Sequence, residues 1–449
     1  MKKRKIIIFF ALSLLLSLLV CAETPKIKVG LNFGNSAVKQ NVNLSFENGF
    51  QVGYTSDDNM FLPVMFYPDT SVTVNAYGNT IRLLGSDGSV IFEGYAGQPV
   101  SVCPLSSELD GEYYIPFTYI GSIKYPDTLI FSASGGAITV INLVDAELYL
   151  KGVLPSEIYP SWHEEALKTA AITARTFTYH SLGGKHKNYG VDVCATTCCQ
   201  VYSGITKCDD RTNKAIDDTK NMVLTYNGKI ITAVYHAISG GITQSAAGTW
   251  GGNPASFPYL TIIKTPFENY SEIARGKWTK VLYDEDFNNL ISKSSYRGKL
   301  SAPISVTVDD PTPGYINNVT LSDKNGGSIT LQNSDTIRSF FSTWSANFTI
   351  GNVYMPYAGA YDSAAVLTSS GEIYLPAGQS ASILTSAGGE VISGIRNAHF
   401  IDGKGYGHGV GLSQYGSQYA AKAGYTYHEI LATYFPGTII EDYTLMANN

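Results

Sequence analysis

The chain has 449 residues, of which 31 are Lys or Arg and 37 are Asp or Glu, so its formal net charge is -6 with histidine neutral. This acidic balance excludes a protein that finds nucleic acid through a positive field. Charged residues make up only 15%, and the chain holds 44 Gly and 31 Tyr, a composition that indicates a turn-rich, strand-rich exported protein. The hydrophobic fraction of 44% argues against disorder, and at about 150 residues per domain the length predicts two or three domains.

The N-terminus has the order of an export signal. A basic start, Lys2 to Lys5, precedes an uncharged apolar run from Ile6 to Val20, which is short for a membrane span. Three interpretations stay open: cleavage after Ala22, retention as an N-terminal membrane anchor, and lipidation of Cys21, which Val20 before it fits poorly. All three put the rest of the chain outside the cytoplasm, either secreted or held at the outer face of the cytoplasmic membrane.

Short strand patterns separated by Gly, Asn, Asp and Ser clusters follow the N-terminus. They carry no motif with chemistry. We therefore predict a signal peptide or anchor at residues 1–22 and a β-rich accessory domain at residues 23–116. The expected fold class is α+β, mostly β with a few packed helices.

A helix is predicted from Trp162 to about Ser181. Ser161 and Glu164 have the spacing of a capping box, and alanines and other apolar residues recur behind them at helical intervals. Further on, Met222–Tyr226 and a second strand reaching His236 flank Asn-Gly, which predicts a β-hairpin. Two more helices are expected near the C-terminus, at about residues 414–423 and 428–434.

The glycine-rich stretch from Gly403 to Gly416 lacks the order of a phosphate-binding loop. Its glycines allow either close approach of backbone to a ligand or a tight crossing of two backbone segments. The first alternative presents His408, Ser413, Gln414 and Tyr415 at one wall of a groove that suits a polymer.

Four of the six cysteines lie close together, and three of them combine with a nearby histidine as soft ligands. We predict a structural zinc site from His186, Cys194, Cys198 and Cys199. The alternatives are disulfides between Cys194 and Cys199 or between Cys198 and Cys208, and free thiols. Four ligands would leave no open position for water, so the metal would organise the loop rather than attack a substrate.

Several ordered motifs together resemble the stage II sporulation protein D (SpoIID/LytB-like) family. They are Leu-Pro-Ser-Glu at residues 154–157, the alanine-rich helix with Arg175, the cysteine segment ending in Gln200, residues 236–241, and residues 408–416. The resemblance begins near Tyr119 and implies a catalytic domain at residues 117–449, with a β-rich insertion at about 253–397. It also implies action on bacterial peptidoglycan. Family members commonly have histidine where this chain has Cys198. This difference weakens the inference that the zinc site of some family members is also present in this chain.

The resemblance makes Glu157 the catalytic acid of a lytic transglycosylase, an enzyme that leaves 1,6-anhydro ends on glycan strands. The residues offer independent support, because a carboxyl between apolar neighbours and two prolines is expected to be partly desolvated, which raises its pKa toward neutral. A single glutamate suffices when the sugar's own C6 hydroxyl is the nucleophile. The other nearby acids are Glu164 and Glu165 on the helix.

The remaining site residues are predicted to contact the glycan through hydrogen bonds and ring stacking. For Arg175, two roles are equally supported: covering the helix surface, or a site role in which its fork orients the acid or binds a sugar acetamido or lactyl group. The full set is Arg175, Gln200, Tyr202, Ser239, His408, Ser413, Gln414 and Tyr415.

Two other functions compete with the transglycosylase. The chain can be a non-catalytic enhancer that binds and activates a wall amidase. It can also be a zinc amidase, which would need an open metal position. The expected partners are peptidoglycan glycan strands and a cell-wall amidase, with no nucleic acid.

Overall fold

We describe a computed structural model of the chain. It describes residues 24–446, except residues 40, 107, 110–111, 114, 302–303, 309–313, 357–365, 369–370, 374–379, 386–387 and 394. The predicted signal or anchor at residues 1–22 lies outside the described residues. Within the described part, no helix has both the length and the apolar character needed to cross a membrane.

The strands up to the predicted hairpin are β1 (Lys26–Asn32), β2 (Val42–Ser45), β3 (Phe50–Thr55), β4 (Phe61–Tyr67), β5 (Ser71–Tyr77), β6 (Thr80–Leu84), β7 (Val90–Glu93), β8 (Val100–Pro104), β9 (Glu108–Leu109), β10 (Glu112–Tyr113), β11 (Phe117–Ile120), β12 (Ile123–Pro126), β13 (Thr128–Ser134), β14 (Ala137–Asp145), β15 (Val193–Cys194), β16 (Met222–Tyr226) and β17 (Lys229–Ile230). The later strands are β18 (Tyr235–His236), β19 (Lys277–Tyr283), β20 (Ile304–Val308), β21 (Asn318–Asp323), β22 (Ser328–Gln332), β23 (Phe348–Pro356), β24 (Val366–Thr368), β25 (Gly371–Ile373), β26 (Ser380–Thr385), β27 (Gly388–Ser393), β28 (Ile395–Lys404), β29 (Leu412–Ser413) and β30 (Ile439–Asp442). The α-helices are α1 (Ala146–Glu157), α2 (Glu164–His180), α3 (Asp210–Asp218), α4 (Ala246–Trp250), α5 (Asp284–Lys293), α6 (Ser334–Phe341), α7 (Gln414–Lys422), α8 (Tyr427–Tyr434) and α9 (Tyr443–Met446). The expected α+β, mostly β class is confirmed.

The chain forms two compact units. Unit 1 comprises the described residues up to 160, residues 174–231 and the described residues from 440 onward, whereas unit 2 comprises residues 161–173 and 232–439. The predicted insertion at 253–397 lies in unit 2, together with its flanking segments. These units are described separately below.

Unit 1 contains a seven-stranded sheet of order β15-β1-β14-β13-β8-β3-β4 and a six-stranded sheet of order β12-β11-β2-β5-β6-β7. Strands β5 and β6 lie against β13 and β14, and Val74, Ile81, Leu129 and Phe131 between them are fully buried. The predicted boundary at residue 116 runs through both sheets. Strands far apart in sequence pair here, and local patterns do not reveal such pairing.

Helix α1 follows β14 directly, and the Asp145 side chain caps it by accepting from the Leu148 N–H. Its last turn contains Leu154 to Glu157, the segment whose local structure the sequence did not predict. Helix α2 begins at Glu164, two residues later than the capping-box pattern places it. There the His163 Nδ1 accepts from the Glu165 N–H at 3.3 Å.

The Asn-Gly hairpin is confirmed, since Asn227 and Gly228 both have positive φ, 51° and 71°, and join β16 to β17. The second strand is shorter than predicted. It ends at Ile230, and the expected continuation to His236 is instead β18, which pairs in parallel with β29. Local alternation could not reveal this change of partner.

Unit 2 has a core built around β19, β28 and β23, which form one sheet. Phe287 of α5 and Phe341 of α6 are fully buried, with ring centroids 6.2 Å apart. The predicted C-terminal helices are observed as α7 and α8. These elements support the glycine-rich segment that follows β28.

Candidate active site

Glu157 is the last residue of α1 and is half-buried. The backbone N–H of Val201 donates to its Oε1 at 2.7 Å. A backbone donor has little freedom to move, so this hydrogen bond fixes the direction of the carboxylate. Helix α1 and the segment after the cysteines therefore position Glu157 together.

The end of α1 is anchored by two local features. Pro155 has no N–H to give to the Lys151 carbonyl one turn earlier, and the Cys208 thiol contacts that carbonyl at 3.3 Å. A Cβ on Gly152 would lie 2.1 Å from the Gly204 carbonyl oxygen and 2.7 Å from the Tyr202 ring. Only glycine allows α1 to approach this loop so closely.

Arg175 is fully buried, so it cannot contact a glycan in this structure. Its Nε and Nη2 donate to the two oxygens of Glu147 at 2.6 and 2.7 Å, and Nη2 also donates to the Ile216 carbonyl at 3.0 Å. The prediction that Arg175 binds sugar is therefore replaced by a structural role. The bidentate ion pair joins α1 to α2 inside unit 1.

Gln200 and Tyr202 are buried as well, with exposed fractions of 0% and 4%. The Gln200 Oε1 accepts from Thr178 at 2.9 Å and from Tyr149 at 3.2 Å. The Tyr202 hydroxyl donates to Asn142 at 2.8 Å. Both were predicted to contact the glycan, but their polar groups are satisfied within the core, so they hold the cysteine segment in place instead.

The four predicted metal ligands come together. The ligand atoms of His186, Cys194, Cys198 and Cys199 all lie within 4.8 Å of one another. His186 Nε2 is 3.3 Å from the Cys199 sulfur and 3.7 Å from the Cys198 sulfur. Bonds of about 2.0–2.3 Å to a tetrahedral zinc ion place two ligands roughly 3.5–3.8 Å apart. The cluster could therefore hold a metal ion.

The fold explains how these ligands meet. Strand β15 pairs in parallel with β1, with Cys194 beside Gly30, so Cys194 is fixed at the edge of the large sheet. The three cysteines and Cys208 are free thiols in the described residues, so neither alternative disulfide is formed. A hydrogen bond with Cys199 lowers the pKa of the Cys194 thiol, and the same contact raises the pKa of the Cys199 thiol.

In unit 2, Ser239 and Ser413 are fully buried around Glu268, itself 5% exposed. The Ser239 N–H donates to both carboxylate oxygens, at 2.9 and 3.1 Å, and the Ser239 hydroxyl also donates to this carboxylate. The Ser413 hydroxyl donates to Oε1 at 3.1 Å. Burial raises the pKa of Glu268. The two serines were predicted to contact sugar, but they bind this internal carboxylate instead.

The glycine-rich segment crosses another backbone segment closely. Gly405, Gly407, Gly409 and Gly411 all have positive φ, and a Cβ on Gly411 would lie 2.2 Å from the Val234 carbonyl oxygen. This is the tight crossing that the sequence left open as one alternative. Glycine is needed here for both conformation and space.

His408 lies in this crossing and is half-buried. Its Nδ1 accepts from the Val410 N–H at 3.0 Å, and its ring lies 5.2 Å from that of Trp250, which is 46% exposed. Burial lowers the pKa of His408 to about 4 and that of nearby His236 to about 3, so both rings are neutral at pH 7. Glycan contact by His408 stays a prediction.

Gln414 is mostly buried at the start of α7. Tyr415 is half-buried and packs edge-to-face on Trp162, with ring centroids 5.0 Å apart. Its backbone N–H donates to the Ala237 carbonyl at 3.1 Å. Glycan contact by these two residues stays a prediction.

Comparison with known proteins decides the family. The model of the stage II sporulation protein (SpoIID) family matches residues 134–226. An uncharacterized protein of Brachyspira hyodysenteriae is 31% identical over 326 residues, covering 72% of this chain and 74% of that protein. The chain belongs to the SpoIID family.

Two Bacillus subtilis proteins extend the SpoIID comparison. Stage II sporulation protein D is 27% identical over 318 residues, which cover 67% of this chain and 76% of that protein. The amidase enhancer is 30% identical over 310 residues, which cover 66% of this chain but only 40% of the enhancer. The residues of the SpoIID model match include Glu157, Arg175 and all four metal-cluster residues.

Sequence reasoning missed three residues of this SpoIID chain that organise its sites. Glu147 lies between Asp145 and Lys151 in an otherwise apolar stretch, and a charge in such a stretch was a usable signal of a buried ion pair. Glu268 and the Val201 N–H carry no local signal. Their roles depend on partners 145 and 44 residues away.

Proposed function

We propose that this protein is a lytic transglycosylase that cleaves the MurNAc-GlcNAc bond of peptidoglycan and leaves 1,6-anhydro-MurNAc ends. Membership of the SpoIID family, with relatives named for sporulation and for amidase enhancement, supports a cell-wall role. The observation that carries the proposal is the Glu157 carboxylate, held by the Val201 N–H at 2.7 Å at the end of a rigid helix.

Glu157 would act twice. It first donates its proton to the glycosidic oxygen, so that the bond to C1 of MurNAc breaks and the GlcNAc hydroxyl leaves. The resulting carboxylate then accepts the proton of the C6 hydroxyl while that oxygen attacks C1. The attack is intramolecular and gains from proximity. No water is consumed, and Glu157 ends the cycle protonated.

The other acids near Glu157 in sequence are already engaged. Glu164 pairs with Lys168 at 2.7 Å, and Glu165 accepts from the Tyr427 N–H at 2.7 Å. A hydrolytic glycosidase usually needs a second carboxylate to activate water or to attack the sugar. These contacts support a mechanism that uses one carboxylate.

We propose zinc as the metal of the cysteine cluster, bound by three thiolates and one imidazole. Such a site has no open position, so the ion would supply structure and not Lewis-acid chemistry. Cys199 is followed by Gln200 and Val201, whose N–H holds Glu157. Loss of the ion is therefore expected to loosen the carboxylate. This closed ligand set also argues against a zinc amidase.

We propose that the protein works outside the cytoplasm, secreted or anchored at the outer face of the membrane. The basic and apolar N-terminus supports this.

The deciding experiment is mass spectrometry of products from peptidoglycan with and without stem peptides. The wild type is expected to give glycan fragments that are one water lighter than hydrolysis products. Glu157→Gln should abolish them, whereas the matched control Glu164→Gln should keep them. Turnover by folded Glu157→Gln at the wild-type rate would refute the proposal.

The second candidate is a non-catalytic enhancer of a wall amidase, favoured by the relative named amidase enhancer. It predicts no glycan cleavage by the protein alone. An amidase would be stimulated equally by the wild type and by Glu157→Gln. Mixing each with a purified amidase and counting released stem peptides distinguishes the two functions.

A further inference from the structure

Unit 2 carries a group of exposed and half-buried aromatic and basic side chains that no role above uses. We call it the aromatic-cationic platform, and its members are Tyr270, Arg275, Lys277, Trp344, Lys404 and Tyr406. Trp344 and Tyr406 are 39% and 37% exposed, and their ring centroids lie 6.1 Å apart. Their position is fixed, because the Gly407 N–H donates to the Trp344 carbonyl at 2.9 Å.

Arg275 lies over both rings, with its guanidinium carbon 5.5 Å from the Trp344 centroid and 5.6 Å from that of Tyr406. Its backbone is left-handed, with φ 70°, a conformation that costs free energy for a residue with a side chain. Exposed arginines rarely need such a conformation. Strain of this kind is expected where the position of a side chain matters to function.

The surrounding loop holds Arg275 in this conformation. A Cβ on the next residue, Gly276, would lie 1.8 Å from the Tyr270 carbonyl oxygen. The Gly276 carbonyl also accepts from the Gly405 N–H at 2.8 Å. The loop is therefore tied to the segment that carries Tyr406, and Arg275 has little room to relax.

Two further cations complete the platform. The Lys277 and Lys404 ammonium groups lie 5.9 and 5.6 Å from the Tyr270 ring centroid. Among the described residues, no carboxylate lies within 4 Å of these lysines or of Arg275, although Glu272 and Asp402 are on the same segments. Three unneutralised cations in a chain of net charge -6 indicate an anionic ligand.

We propose that the platform is a binding site for a saccharide that carries an anionic group. The apolar face of a sugar ring packs on Trp344 and Tyr406, and the anion pairs with Arg275 and the two lysines. The anionic group can come from either of two sources, the lactyl carboxylate of muramic acid or the phosphate of a sugar-phosphate polymer. The inference rests on the proposed function only for the expectation of a wall polymer, and Glu157 is not part of the site.

The test is direct binding, measured by calorimetry with the full chain carrying Glu157→Gln and repeated with the wild type. The probes are a muramic-acid oligosaccharide without stem peptides, a glycerol-phosphate polymer and neutral chitooligosaccharide. Trp344→Ala and Arg275→Gly are each expected to weaken binding of the anionic probe about tenfold. The Tm of Arg275→Gly should not fall, because glycine adopts this φ without strain.

A matched control exists in unit 1, where Arg82 lies 3.9 Å from the centroid of exposed Tyr77 but is neutralised by Glu93 at 3.1 Å. Tyr77→Ala is expected to leave binding within about twofold of the starting protein. Tighter binding of the carboxylate probe identifies the glycan strand as ligand, and tighter binding of the phosphate probe identifies the other source.

Two outcomes would overturn the inference. One is equal affinity for neutral and anionic saccharides, and the other is unchanged affinity in folded Arg275→Gly. Both are measured as binding, so they are independent of glycan cleavage. A protein that binds through the platform but never cuts glycan would refute the proposed function alone.

Discussion

The buried ion pair between Arg175 and Glu147 gives the sharpest test of the structural role assigned to Arg175. Arg175→Met removes both hydrogen bonds to Glu147, at 2.6 and 2.7 Å, and leaves that carboxylate in the core without a cation. Each charge-assisted bond is worth about 1.5–3 kcal/mol, and breaking a buried pair costs about 3–5 kcal/mol overall. At 2–4 °C per kcal/mol, unit 1 should lose about 10 °C in Tm.

The assay must separate the two units. All four tryptophans, Trp162, Trp250, Trp278 and Trp344, lie in unit 2, so their fluorescence in urea is expected to stay unchanged. Hydrogen exchange of residues 174–180 and of β16 reports the stability of unit 1 and should show the loss of stability. The double variant Arg175→Met with Glu147→Leu should recover most of it, because no charge remains unpaired.

An exposed ion pair in unit 1 provides the control. Lys214 pairs with Asp218 at 2.6 Å on α3, and Lys214→Met should cost at most about 0.5 kcal/mol. The reasoning is refuted if Arg175→Met weakens glycan binding while the hydrogen exchange of unit 1 stays at the wild-type level. That result would support the prediction from the sequence that Arg175 binds the glycan.

Three further predictions follow from the structure. Purified protein should contain about one zinc per chain by elemental analysis, and Cys198→Ser should lower this content whereas Cys103→Ser should not; equal content in both variants would contradict the proposed ligand set. Gly152→Ala should destabilise unit 1 by about 1–3 kcal/mol, because the added Cβ meets the Gly204 carbonyl oxygen at 2.1 Å; helix propensity alone favours alanine by about 1 kcal/mol, so a stabilised variant would show that the contact is relieved. Burial raises the pKa of Glu268, so the stabilisation from its protonated form is fully present below the unfolded pKa of about 4.3 and is lost as pH rises through the folded pKa. The free energy of unfolding of unit 2, measured by tryptophan fluorescence in urea, should therefore fall as the pH rises. Glu268→Gln should make this free energy less dependent on pH, and an unchanged pH dependence in that variant would contradict the prediction.

Features that depend on nearby residues were predictable. The hairpin turn at Asn227 and Gly228, helices α2, α7 and α8, and the metal cluster all involve residues close in sequence. The four ligands span only residues 186–199, so their spacing already restricted how far apart they could lie. Helix α1 was not predicted, because Pro155 and an apolar run leave no clear helical spacing of apolar and polar residues.

Burial was not predictable in the same way. Arg175, Gln200, Tyr202, Ser239 and Ser413 have residue types that suit a glycan site, and the structure buries all five. Side chains that can hydrogen-bond a sugar hydroxyl can equally bond a protein carboxylate or amide. Sequence pattern cannot distinguish the two uses.

The sequence by itself determined the family resemblance, the fold class, the His/Cys cluster that could hold a metal and the glutamate on which the proposed chemistry depends. Only the tertiary structure decided which polar residues face the core, because each is satisfied by a partner remote in sequence. Ser413 meets Glu268 across 145 residues, and Arg175 meets Glu147 across 28. Such pairs form when the chain folds and buries them together, since a buried polar group needs a partner wherever in the sequence that partner lies.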